Sequence, residues 1–134
     1  LVPGVMLSHY LDIPLHTLNV SLRDGDLRES NLWMAEEALG YPVYEDNNYK
    51  NILIVDDIND QGTTLNWIMS DWKAGCLPQD PGWDEVWNNN VKFAVLVDNL
   101  SSKCDVKMDY VGMEINKAEN DVWVDFPWED WWTK

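Results

Sequence analysis

Ile52-Leu53-Ile54-Val55-Asp56-Asp57-Ile58-Asn59-Asp60-Gln61-Gly62-Thr63-Thr64-Leu65 is the stretch whose reading decides the fold. It opens with four apolar residues, three of them β-branched, the composition of a strand buried on both faces. Asp56 and Asp57 follow at that strand's carboxyl end, with Asp60 three residues beyond. Gly62 permits a tight turn, and Thr63 and Thr64 are capping residues for a helix starting near Leu65. Ligands of open α/β sheets sit beyond the carboxyl ends of strands, and a helix N-terminus there offers free N–H groups to a phosphate. The carboxylates suit sugar hydroxyls or a hard cation such as Mg²⁺. An ordinary buried strand running into a solvated acidic turn accounts for the apolar run. It does not account for the ordered glycine and threonines.

Composition narrows the class. The chain has 134 residues, enough for one domain with one core, and 46% are hydrophobic, which argues against disorder. No apolar run approaches the roughly 20 residues needed to cross a bilayer, so no membrane partner is expected. There are 24 acidic residues against 9 basic ones, a net charge of −15. A field of that sign repels nucleic acid, and no basic stripe interrupts it. Cys76 and Cys104 lack metal-ligand spacing and read as reduced thiols of a cytoplasmic protein.

Outward from the central stretch, residues 1–11 read as a short helix with Pro3 in its first turn, ended by Pro14. Residues 16–22 alternate with period two, as a strand does. Asn31–Leu39 reads as a helix closed by Gly40, and Tyr41–Tyr44 as a short strand. Leu65, Ile68, Met69 and Trp72 recur at i, i+3, i+4 and i+7, an apolar helix face that Gly75 stops. Trp83–Asn90 is one or two helical turns, Val91–Val97 a second buried strand, Asp98–Lys107 a polar loop, and Tyr110–Ile115 a third strand. The tail from Asp121 is dense in aromatic residues. The whole reads as a single α/β domain over residues 1–134, a mostly parallel twisted sheet flanked by helices.

The central run resembles the phosphoribosyl pyrophosphate (PRPP) motif of the type I phosphoribosyltransferases: four apolar residues, two acids, two variable residues, Asp, a variable residue, Gly and Thr. Every fixed position is met, with Gln61 where Thr is commoner. The opening Leu1-Val2-Pro3-Gly4 is similar to the end of an Arg-Gly-Gly-Leu-Val-Pro-Gly segment in the bacterial xanthine-guanine and hypoxanthine members. That resemblance implies a strand and a pyrophosphate-holding loop ahead of Leu1, hence a chain lacking its amino-terminal segment, and puts activity of the fragment in question. It also makes residues 23–50 a hood over the site, with Arg23 either a pyrophosphate contact or a surface arginine.

The tail, residues 110–134, carries the base end. Trp123-Val124-Asp125-Phe126-Pro127-Trp128-Glu129 is similar to that type's Trp-Ile-x-x-Pro-Trp-Asp segment. The resemblance implies that Trp123 stacks on a purine and that the Val124 backbone bonds its edge. An indole face suits an aromatic base, while Trp128, Trp131 and Trp132 read as packing residues. One departure stands out. The family's lysine that donates to the purine 6-oxo group aligns with Asp98, which cannot donate when ionised. Either Lys103 reaches in from the loop, or the base is not a 6-oxopurine and Asp98 accepts from an exocyclic amine.

The resemblance therefore implies transfer of a phosphoribosyl group from PRPP to a purine base, a purine-salvage step that yields a nucleoside monophosphate and pyrophosphate. Asp56, Asp57, Asp60, Gln61, Gly62, Thr63 and Thr64 would bind PRPP. Asp57 would hold Mg²⁺, and Asp60 would take the purine ring proton as general base. Trp123, Val124 and Asp98 would line the base site. A homo-oligomer, dimer or tetramer, is expected. The alternatives are a non-catalytic PRPP- or nucleotide-binding regulator of the same fold, and a phosphoribosyltransferase for a different base.

Overall fold

A computed structural model of the chain describes residues 1–18, 20, 32–40 and 49–129. Helix α1 (Val2–Leu11) comes first and α2 (Leu32–Leu39) second. Strand β1 (Ile52–Asn59), helix α3 (Thr63–Gly75) and strand β2 (Val91–Asn99) form a βαβ unit, and β3 (Tyr110–Ile115) completes it. The sheet order is β1-β2-β3, with both pairings parallel. This is the expected α/β architecture, a parallel sheet flanked by helices. Parallel strands end at one edge of the sheet, so Asp60, Asn99 and the residues after Ile115 are brought together there.

The core lies between the sheet and the α2–α3 layer. Leu65, Ile68, Met69 and Trp72 are all buried, as their spacing predicts, and pack with Met34, Ala35 and Ala38 of α2 and with Ile54, Val91 and Phe93. Trp83 and Trp87 stack at 5.5 Å between ring centres, and Trp72 and Phe93 lie against Trp87 at 6.1 and 6.2 Å. Such ring pairs add about 0.5–1.5 kcal/mol beyond their buried area. The Trp83 indole N–H donates to the Cys76 carbonyl at 2.8 Å. Buried Asn90 ties the layers together, its Nδ2 donating to the carbonyls of Ala38 at 2.8 Å and Lys50 at 3.0 Å. Both cysteines are free, and burial pushes both thiols up.

Several elements differ from expectation. The central strand does not stop at Val55. Parallel pairing with Val95, Val97 and Asp98 keeps Asp56, Ile58 and Asn59 extended despite their polarity. Nor is it sealed on both faces, since only Ile54 and Asn59 are buried, β1 being an edge of the described sheet. Helix α3 starts two residues early at Thr63. Its N-cap is Gly62, left-handed at φ 84°, with no threonine cap bond. The helical turns expected over Trp83–Asn90 are instead a short 3-10 segment, Pro81–Glu85, capped by the Asp80 side chain. His16, Thr17, Leu18 and Val20 carry no strand. The alternation there therefore forms no ladder among the described residues. The rest of that stretch, Arg23, Tyr41–Tyr44, Trp131, Trp132 and most of the expected hood lie outside the described residues. No helix among the described residues is long and apolar enough to cross a membrane.

Candidate functional site

An open groove of about 1060 Å³ runs along the carboxyl ends of the strands. One wall is the turn after β1 and the start of α3, with Asp60, Gln61 and Thr63. The floor includes Asn99 and Lys103 from the end of β2 and its loop. The far wall follows β3 and carries Lys117, Val122 and Trp123. Three strand ends thus contribute to one concavity, as the parallel topology requires.

The turn itself has the features of an anion cradle. Among the described residues, the amides of Gln61, Gly62, Thr63 and Thr64 donate to no protein acceptor. Thr63 is exposed and Thr64 half-buried, so the start of α3 faces open space with its positive dipole end. Gly62 is roofed by the loop after β2. A β-carbon there would lie 2.6 Å from the Cys104 Cα and 2.9 Å from the Lys103 carbonyl carbon. That loop is fastened to the turn. The Lys103 amide donates to the Gln61 carbonyl at 3.2 Å, and the Asn66 side chain bonds the Lys103 carbonyl at 3.0 Å and the Asp105 amide at 2.8 Å.

Asp60 does not stand alone. Lys117 Nζ lies 3.0 Å from its Oδ1, with Lys117 side-chain exposure at only 19%. The same ammonium sits 5.7 Å from the centre of the Trp123 ring. Trp123 is 86% exposed, an indole face presented to the groove rather than packed in the core. A proton acceptor, a cation and a flat aromatic platform therefore stand side by side. Together they can hold a planar heterocycle that has both an N–H and a carbonyl on its rim.

The other expected site residues sit elsewhere. Asp56 and Asp57 are consecutive strand residues, so they face opposite sides of the sheet, and neither lines the groove. The Asp57 amide donates to Asp56 Oδ1 at 2.9 Å. Burial pushes the Asp56 carboxyl above the usual range, and the neighbouring Asp57 carboxylate adds to the rise. Asp98 also lies off the groove and accepts from Asn59 Nδ2 at 2.9 Å. Val124 is half-buried and outside the lining, while Val122 is inside it. Trp128 stacks on buried Phe126 at 5.0 Å, a packing role. Lys103 lines the groove as the loop reading allowed. Lys117 was not singled out from sequence, although its place just past a strand's carboxyl end is the signal that finds it.

The raised carboxyl carries a stability prediction. A folded-state acid that holds its proton more tightly than the unfolded chain stabilises at low pH, and that contribution is lost as pH rises through the folded value. At pH 7, where the unfolded chain carries Asp56 ionised, enclosing that carboxyl is thus a burden on the fold. Asp56→Asn keeps an acceptor for the Asp57 amide and removes the partly buried charge. Its Tm at pH 7 is expected to rise by about 2–4 °C, roughly 1 kcal/mol for a domain of this size. The gap should narrow at pH 4 in thermal melts; a variant that melts below the native protein at both pH values contradicts the assignment.

Comparison with protein families matches residues 1–131 to the phosphoribosyl transferase domain. Among curated proteins no match is found.

Proposed function

We propose, on the premise that this chain belongs to the phosphoribosyl transferase family, that it moves a phosphoribosyl group from PRPP to a 6-oxopurine in purine salvage. Family membership carries the phosphoribosyl half of this statement. One observation carries the base half: Lys117 stands 3.0 Å from Asp60 and 5.7 Å from the Trp123 ring, in one groove with the turn at Gln61–Thr63. A purine stacked on Trp123 would bring its ring N–H to Asp60 and its carbonyl to Lys117. The ammonium that neutralises Asp60 in the free site would turn to the carbonyl and release Asp60 to accept the ring proton. An adenine amine offers Lys117 no acceptor at that place. Lys117 would thus supply the donor that Asp98 cannot.

The 5-phosphate would sit on the unpaired amides of Gln61 to Thr64. Mg²⁺ would neutralise pyrophosphate charge during transfer. Among the described residues there is no cluster of three or more His, Cys, Asp or Glu able to hold a bare ion. A Mg²⁺ that keeps water and substrate phosphate ligands would need only one or two carboxylates, but Asp57, the residue that the family resemblance implies for it, lies outside the groove lining.

Pyrophosphate release measured with PRPP and hypoxanthine, xanthine, guanine or adenine tests the reading. The three oxopurines are expected to react and adenine to be much slower. Lys117→Met should raise KM for the preferred oxopurine by about 10- to 100-fold, the range for loss of a charged hydrogen bond, and leave adenine within threefold. Equal effects on both bases would remove Lys117 from recognition. PRPP binding without release for any base would favour the regulator.

A further inference from the structure

One side chain at the end of β2 is bonded to both halves of the groove. Asn99 is 5% exposed. Its Nδ2 donates to the backbone carbonyl of Asp60 at 2.8 Å. Its Oδ1 accepts from the Lys117 amide at 3.0 Å, and from the amide and hydroxyl of Ser101 at 3.3 and 2.9 Å. Asp60 begins the turn that faces the phosphate side. Lys117 begins the segment that leads to Trp123. The carboxamide is thus a strut with a donor fixed to one loop and an acceptor fixed to the other.

Among the described residues, no other hydrogen bond spans the same gap. The neighbouring Asn59 accepts from Ser102 Oγ at 3.0 Å and donates to Asp98, which joins the ends of β1 and β2 only. The Lys117–Asp60 ion pair does cross the groove, but through two partly exposed side chains that solvent and ligands compete for. Asn99 crosses through backbone atoms beneath the ligand space. Moving either loop must break one of its bonds or draw the other loop along, and an orphaned buried group is costly.

We propose that Asn99 is a positioning residue that couples the two half-sites: ordering the Asp60 turn around a phosphoribosyl group sets the Lys117–Trp123 segment for the base, and the reverse. The proposal rests on the reading of the groove as a joint phosphoribosyl and base site. Coupling of this kind is reciprocal, so each ligand tightens the other by the same factor. Asparagine is specified because aspartate accepts but cannot donate, and serine is too short to reach both loops.

The test uses two probes that do not react with each other, ribose 5-phosphate and hypoxanthine, with binding followed by calorimetry. In the native chain, saturating ribose 5-phosphate is expected to tighten hypoxanthine at least about fivefold. In Asn99→Asp the acceptor for Lys117 remains and the donor to Asp60 is gone. That factor should fall close to one. Asn99→Ser, which buries no charge, should behave alike and decides the matter if the aspartate variant does not fold. Coupling retained in either folded variant overturns the proposal. So does failure of both variants to fold, which would make Asn99 a folding residue. Native binding of both probes without coupling overturns the strut alone and leaves the proposed function standing. Native binding of neither probe overturns both.

Discussion

Asp60→Asn is expected to lower kcat for PRPP and the preferred purine by about 10²- to 10⁴-fold, the usual worth of a positioned general base. The substitution keeps the size of the side chain and an oxygen for Lys117. It removes the negative charge and, with it, the capacity to take up a proton. KM for PRPP should stay within about threefold, because the unpaired amides of Gln61 to Thr64 are untouched. Stability should also change little. The ion pair to Lys117 is partly exposed on both sides, and pairs of that kind are worth about 0.2–1 kcal/mol. A large kinetic loss beside a small shift in Tm is therefore the signature. A variant that turns over within threefold of the native chain removes Asp60 from proton transfer, and the groove would then be a place of binding only.

That signature depends on an arrangement only partly legible in the amino-acid sequence. The apolar spacing of Leu65, Ile68, Met69 and Trp72 specified which face of α3 is buried, because a helix of that period has a single apolar stripe. The β-branched run at Ile52–Val55 specified a strand for a similar reason. Where that strand ends was not legible. Asp56 to Asn59 are poor strand residues by composition, and it is pairing to β2 that holds them extended. The partner of Asp60 was hidden for a related reason. Lys117 reaches it only because β1, β2 and β3 lie side by side in parallel, a tertiary fact with no local sign. Asn99 sat in what reads as a polar loop, where one asparagine looks like another until its four hydrogen bonds are seen. Trp123 was found through family resemblance, since periodicity gives an exposed indole no reason to be exposed.

Gly62→Ala should have the largest effect on the fold of any single-methyl change in the central turn. Two independent constraints meet at that position. The backbone is left-handed at φ 84°, which costs a residue with a β-carbon roughly 1–2 kcal/mol. The added carbon would also run into backbone, not into a flexible side chain. It would lie 2.6 Å from the Cys104 Cα and 2.9 Å from the Lys103 carbonyl carbon. The loop after β2 must then lift. Lifting it pulls on the Lys103–Gln61 hydrogen bond and on both bonds of the Asn66 side chain. Strain and lost bonds together should cost about 3 kcal/mol or more, a fall in Tm of about 10 °C for a domain of this length. The same lift disturbs the unpaired amides of the turn, so ribose 5-phosphate should bind at least about tenfold more weakly where the variant remains folded. Calorimetry below the lowered Tm separates this loss from unfolding. An alanine variant that melts within two or three degrees of the native chain would mean that the loop does not press on the turn. One that melts low but binds the sugar phosphate normally would locate the phosphate away from this helix start.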